Sequence, residues 1–174
     1  GPMGSLISEA YREQNEILHQ SPKFGNGGVK WALRAITIAR RENCATILDY
    51  GCGKGTLKRS INSFDVREYD PAIPGKDTPP KPADLVVCTD VLEHIEPDKL
   101  NIVLDDLRRV VKQAGYFVIS TRQAVKKYAN GKNAHLIVQG KDWWEKKLLK
   151  FFYIDKIVHL NDELQIVVGP KVEK

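Results

Sequence analysis

Cysteine is scarce in this chain: Cys44, Cys52 and Cys88 are the three in 174 residues. An odd count without CxxC spacing supplies neither a disulfide framework nor a thiolate zinc site, and a reducing, cytoplasmic setting is expected. Long apolar runs are also lacking. No stretch approaches the roughly 18 residues that a membrane-spanning helix needs. Nothing near the N-terminus joins a basic flank to a continuous apolar core, so no secretory signal is expected. A strong charge of one sign is absent too. Lys+Arg number 27 against 22 Asp+Glu, a formal excess of +5. That surplus argues only weakly for an anionic partner, and a solvated basic face accounts for it. Internal repeats and long linkers are missing as well.

What is present is an ordinary globular composition, 42% hydrophobic and 28% charged. The length suits one core. Gly1-Pro2-Met3-Gly4-Ser5 reads as a cloning scar. Residues 6–174 are expected to form a single domain, with a helical segment over 6–41.

Periodicity predicts the elements. Residues 6–20 read as a short helix, ended by Ser21-Pro22. Phe24-Gly25-Asn26-Gly27-Gly28 reads as a loop, because clustered glycines disfavour either regular element. A helix over 29–41 would turn Val29, Leu33 and Ile36 inward. Strands over 46–50 and 66–69 flank a helix over 55–63. Residues 71–82 hold five prolines, which forbid a helix and leave little room for a paired strand. Asp84 to Thr89 is a strand with an apolar centre, as when helices cover both faces. Glu96-Pro97-Asp98 starts a helix that runs to about Lys112. Its stripe is Leu100, Val103, Leu104, Leu107, Val110 and Val111. A strand over 115–120 follows, then an irregular basic stretch over 121–141. Asp142 and Glu145 form a cap-like pair before a helix bearing Trp144, Leu148, Phe151 and Phe152. Strands over 153–160 and 163–169 meet at an Asn161-Asp162 turn. Strands alternating with helices predict a three-layer α/β sheet with an antiparallel hairpin at its C-terminal edge.

One segment carries chemistry: Ile47-Leu48-Asp49-Tyr50-Gly51-Cys52-Gly53-Lys54-Gly55. A strand feeds a glycine-rich turn that opens a helix. Glycine is needed where a side chain would meet a bound ligand or force an unfavourable φ. The dinucleotide fingerprint GxGxxG would place glycine at position 56, where Thr56 stands, so the spacing is GxGxG instead.

Here the chain resembles the class I S-adenosylmethionine-dependent methyltransferases. The quoted segment is similar to their first motif. Asp70 closes the next strand, 19 residues after Gly51. Asp84-Leu85-Val86-Val87-Cys88-Thr89-Asp90-Val91-Leu92-Glu93-His94 looks like their fourth strand and its exit loop. The resemblance covers about residues 29–169. It implies a Rossmann-like methyltransferase fold and S-adenosylmethionine as cofactor. It also implies a cofactor-binding set of Asp49, Gly51, Cys52, Gly53, Asp70, Pro71, Thr89, Asp90 and Val91. Asp49 would fix the turn or contact the amino group through water, and Asp70 would hold the ribose diol. The chain departs from the family between Asp70 and Asp84, where thirteen residues cannot hold the usual helix and strand. A shortened sheet of about six strands is therefore expected. The family's adenine-contacting acid has no secure counterpart, and Asp77 is the candidate.

His94 is the candidate general base, since it lies just past the fourth family strand and imidazole can take a proton near neutral pH. His135 is the second catalytic candidate. His19 and His159 read as surface or packing residues. Asp90, Glu93 and His94 also stand at D-x-x-E-H spacing, with His135 downstream. This is similar to the E-x-x-E-H of metal-dependent methyltransferases that act on the 3′ ribose of small RNAs. It implies an alternative divalent-metal site at Glu93, His94 and His135, with Arg122, Lys126, Lys127 and Lys132 against RNA phosphates. The leading expectation is methyl transfer to an oxygen or nitrogen of a small-molecule or sugar-like acceptor. A non-catalytic S-adenosylmethionine-binding partner protein is the reading from another class. No membrane partner is expected, and oligomeric state is not legible.

Overall fold

A computed structural model describes residues 27–123 and 133–172. Helix α1 spans Gly27–Arg41 and leads into β1, Thr46–Tyr50. The short α2, Thr56–Ser60, precedes β2, Asp65–Tyr69, and β3, Ala83–Thr89. After 3-10 turns at Leu92–His94 and Pro97–Lys99 come α3, Leu100–Val110, and β4, Val111–Ser120. Helix α4, Lys141–Leu148, leads to β5, Phe152–Leu160, and β6, Glu163–Pro170.

The six strands form one sheet in the order β2-β1-β3-β4-β6-β5. Strands β1 to β4 are parallel, and β6 runs antiparallel to both its neighbours. The C-terminal ends of β1 to β4 therefore share one edge with the start of β6. This is the shortened Rossmann-like sheet with its C-terminal hairpin. The proline-rich residues 71–82 contain no helix or strand and carry the chain directly from β2 to β3.

Period-two alternation divides the strands between two cores. Ile47, Leu85, Val87, Tyr116 and Val118 face α1 and α2. Leu48, Val86, Cys88, Phe117 and Ile119 face α3 and α4, where Leu104, Leu107, Trp144 and Leu148 are buried. Helices on both faces explain why these strands read as continuous apolar runs.

Several expectations need correction. Helix α1 begins at Gly27, so Gly27 and Gly28 lie inside it. First-turn N–H groups have no intrahelical partner to lose, which makes that end tolerant of glycine. Its inner face is Trp31, Ala32, Ala35, Ile38 and Ala39, whereas Leu33 is 74% exposed. Small alanines bring the helix axis close to the sheet, and Leu33 lies about 200° around the axis from Trp31. Helix α3 ends at Val110 because Val111 pairs with Ala83 as the first residue of β4. Gly140, not Asp142, caps α4, and no side chain bonds to its first turn. Phe152 belongs to β5. The expected helix over 6–20 lies outside the described residues.

Candidate active site

The turn after β1 is built on left-handed backbone. Gly51, Gly53 and Gly55 have φ of 89°, 52° and 79°. The N–H groups of Gly51 and Cys52 donate to the carbonyl of Tyr69 at 2.7 and 3.0 Å, which ties the turn to the end of β2. A Cβ on Gly51 would lie 2.4 Å from Val91 Cγ2. A Cβ on Gly55 would lie 2.7 Å from Glu68 Oε2. Gly51 is thus demanded by its neighbour as well as by its φ, whereas at Gly55 the φ alone demands glycine, because the end of the Glu68 side chain can shift.

Acids wall the turn. Asp70, at the end of β2, accepts the Gly53 N–H on Oδ2 and the Ala72 N–H on Oδ1, both at 3.0 Å. Each oxygen keeps a second lone pair for a hydroxyl donor. Asp49 is buried, and that burial, reinforced by Glu68 and Asp70 and opposed by Lys76, pushes its carboxyl up to about 7. Lys76 reaches from the proline-rich loop to Glu68 Oε1 at 3.1 Å. Glu68 Oε2 is buried and has no hydrogen-bond partner. The structure thus brings Lys76 over the turn, while Asp77 is exposed. The sequence reading missed Glu68 and Lys76. Glu68 stands two residues before Asp70, the spacing that puts side chains on one face of a strand. Buried carboxylates beside a left-handed turn fit a ligand that carries an ammonium and a ribose diol, so these residues suit S-adenosylmethionine.

The exit of β3 adjoins this turn. Asp90 has φ of 58°, and its N–H donates to the carbonyl of Val118 at 2.9 Å. Surrounding protein and Glu163 raise its carboxyl, while Lys30 opposes the rise. Asp90 is exposed, which keeps that effect modest. Lys30 and Glu163 pair at 3.7 Å. Trp31 Nε1 and the Tyr116 hydroxyl are buried without hydrogen-bond partners, and their rings meet edge to face at 6.1 Å. Both were missed, since each reads in the sequence as ordinary core.

Beyond Asp90, the 3-10 turn buries Glu93 and His94, which are 1% and 5% exposed. Glu93 Oε1 has no hydrogen-bond partner, and burial followed by Asp90 raises its carboxyl well above the usual range. His94 Nδ1 donates to the carbonyl of Ala134 at 2.9 Å, and His135 Nδ1 donates to that of Arg122 at 2.6 Å. The two rings meet edge to face, with centroids 4.8 Å apart. Burial lowers the pKa of His135. Residues 133–137 are tied to the 3-10 turn by the Ile137 N–H, which donates to the Glu93 carbonyl at 3.1 Å. One donor atom from each of Glu93, His94 and His135 lies within 4.8 Å of the others. Asp90 is not in that group. His159 lies apart, against Thr121 at 3.3 Å. Of the four basic residues considered for phosphate contact, Arg122 is described, whereas Lys126, Lys127 and Lys132 lie outside the described residues, as does His19.

Comparison with known proteins adds to this geometry. The sequence model of a family described as a methyltransferase domain matches residues 17–164. No curated protein matches in sequence. Among solved structures, similarity extends to 1,6-didemethyltoxoflavin-N1-methyltransferase of Burkholderia thailandensis, bound to 1,6-didemethyltoxoflavin and S-adenosylhomocysteine. That likeness has a TM-score of 0.64 at 15% identity and covers 99% of this chain and 93% of the other. Magnesium protoporphyrin IX methyltransferase of Synechocystis, with bound S-adenosylhomocysteine, scores 0.61 at 11% identity, covering 94% and 95%. The N-methyltransferase NodS of Bradyrhizobium japonicum, in complex with S-adenosyl-L-homocysteine, scores 0.57 at 12% identity, covering 93% and 99%. At these identities the likeness is one of fold.

Proposed function

The chain belongs to the methyltransferase-domain family, whose members use S-adenosylmethionine, and from that premise we propose that it methylates an oxygen or nitrogen of a small-molecule or sugar-like acceptor. The observation that carries this reading is the contact of two segments at one sheet edge. Val91, three residues before His94, packs where a Gly51 side chain would stand. That contact supports reading the acid-walled turn and the histidine pair as parts of one site.

S-adenosylmethionine, when bound, supplies a methyl group on a sulfonium. The residues that would hold it are Asp49, Gly51, Cys52, Gly53, Asp70 and Pro71, with Thr89, Asp90 and Val91 along its flank. The backbone at Gly51 and Gly53 allows close approach. Asp49 and Glu68 offer negative charge to an ammonium, and Asp70 offers its remaining lone pairs to the ribose. On the acceptor side, His94 and His135 each spend the Nδ1 proton on a backbone carbonyl. The neutral ring then carries its lone pair on Nε2, the atom suited to draw a proton from an acceptor. Holding acceptor and methyl donor in line accounts for much of the rate. A small acceptor is supported by the similar solved structures, whose names specify a didemethyltoxoflavin and a magnesium protoporphyrin.

Calorimetry with S-adenosylhomocysteine tests the premise for this site. Gly53→Val should abolish binding, because a branched residue at φ of 52° distorts the turn and crowds the ligand. Unchanged affinity in a folded variant would refute the assignment. Transfer of labelled methyl from S-adenosylmethionine to panels of hydroxyl and amine compounds then identifies the acceptor class.

A further inference from the structure

We propose that the acceptor group is a basic amine whose nitrogen is received by Glu93 and His135, an inference that rests on the acceptor-side reading above and narrows its substrate class. Glu93 stands in the 3-10 turn after β3 and is 1% exposed. Its Oε1 is buried and has no hydrogen-bond partner. Such an oxygen carries a desolvation cost that a ligand's donor removes.

The surroundings select the kind of donor. Asp90 and Glu163 add to burial in raising the Glu93 carboxyl, and no lysine or arginine among the described residues opposes them. Lys30 is engaged with Glu163, at 3.7 Å. His135 adds a second acceptor. Its Nδ1 donates to the Arg122 carbonyl at 2.6 Å, which leaves the lone pair on Nε2. One ring nitrogen of His135 and one carboxylate oxygen of Glu93 lie within 4.8 Å of each other. The Ile137 N–H, on the Glu93 carbonyl at 3.1 Å, holds the two segments together. Two acceptors this close fit one group that carries several N–H donors and a positive charge. That charge also offsets Asp90 and Glu163, so Glu93 meets it as a carboxylate.

A hydroxyl matches this pair poorly. It offers one hydrogen to two acceptors, and its methylated product is a neutral ether. An ammonium offers several hydrogens. His135 Nε2, the base described above, takes one of its protons and frees the nitrogen lone pair. That pair attacks the methyl carbon. The N–C bond forms, the C–S bond breaks, and the electron pair stays on sulfur. Positive charge thereby passes from the sulfonium to the nitrogen. A fixed opposite charge at Glu93, in a buried site, stabilises it where it develops.

The test pairs amines with their hydroxyl counterparts. Labelled S-adenosylmethionine and the full chain are incubated with glucosamine, ethanolamine or benzylamine, and in parallel with glucose, ethylene glycol or benzyl alcohol. Calorimetry with S-adenosylhomocysteine runs alongside. Label is expected on an amine and not on its counterpart. Glu93→Gln should lower kcat/KM for that amine at least tenfold, with S-adenosylhomocysteine affinity nearly unchanged. His159→Ala should leave both as they are. Label on the hydroxyl compounds, label on neither class, or equal turnover by the Glu93→Gln chain overturns the proposal. Transfer that chelation abolishes gives the Glu93 oxygen to a metal ion and overturns it too. If the unmodified chain fails to bind S-adenosylhomocysteine, the cofactor premise falls and this proposal with it, so calorimetry tells the two failures apart. The amine–hydroxyl comparison uses the unmodified chain and stays decisive should Glu93→Gln fail to fold.

Discussion

Burial among Glu68, Asp70 and Cys52 holds the Asp49 carboxyl at about 7, far above the unfolded range near 3.9. The sign of the consequence follows from proton counting. Between roughly pH 4 and 7 the folded ligand-free protein keeps a proton that the unfolded chain has lost. This group therefore makes the fold less stable as pH rises through that window. Urea unfolding at several pH values should show the slope, and Asp49→Asn should flatten it. Cofactor binding runs the other way, because an ammonium prefers the carboxylate. Affinity for S-adenosylhomocysteine should rise as pH passes through about 7, and Asp49→Asn should lose that rise. Asp70→Ala should weaken the same ligand by about 1–3 kcal/mol, the scale of hydrogen bonds to a charged group plus a slackened turn. A loss under about threefold in Kd would mean that the ribose is held elsewhere. GxGxG and its preceding acid were legible in the sequence because they are local. The Glu68–Lys76 pair was not, because the loop that returns Lys76 has no periodicity to read.

At the level of elements, α1 shows how side-chain size misleads. Leu33 is the conspicuous apolar residue, yet Ala35 is fully buried and Leu33 is 74% exposed. Ala35→Leu should therefore cost about 1–3 kcal/mol by overpacking against the sheet. Leu33→Ala should shift stability by less than about 0.5 kcal/mol. Paired denaturant titrations decide this, and the reverse ranking would invert the face assigned to the helix. Helix α3 behaved otherwise. Its stripe from Leu100 to Val110 is buried as its spacing predicted. There the large aliphatic residues and the 3.6-residue period agree.

Across the whole molecule, the histidine pair meets because β3 and β4 are parallel neighbours. Their exits bring His94 and His135, 41 residues apart, to a ring separation of 4.8 Å. His135→Ala should depress turnover by roughly 10²–10⁴ while leaving S-adenosylhomocysteine affinity nearly intact. Equal losses in both would reassign the residue to the cofactor side.

The sequence by itself determined the α/β layering, the six-strand count, the glycine turn after β1 and the missing outer strand. Each rests on local periodicity, on φ preference or on prolines that forbid pairing. Tertiary structure decided which acids share the turn, which face of α1 is buried, and that Glu93, His94 and His135 converge without Asp90. Those outcomes depend on parallel pairing across the sheet and on a left-handed backbone at Asp90. Spacing along a chain cannot encode them, because the distance between segments is set by the strands they follow.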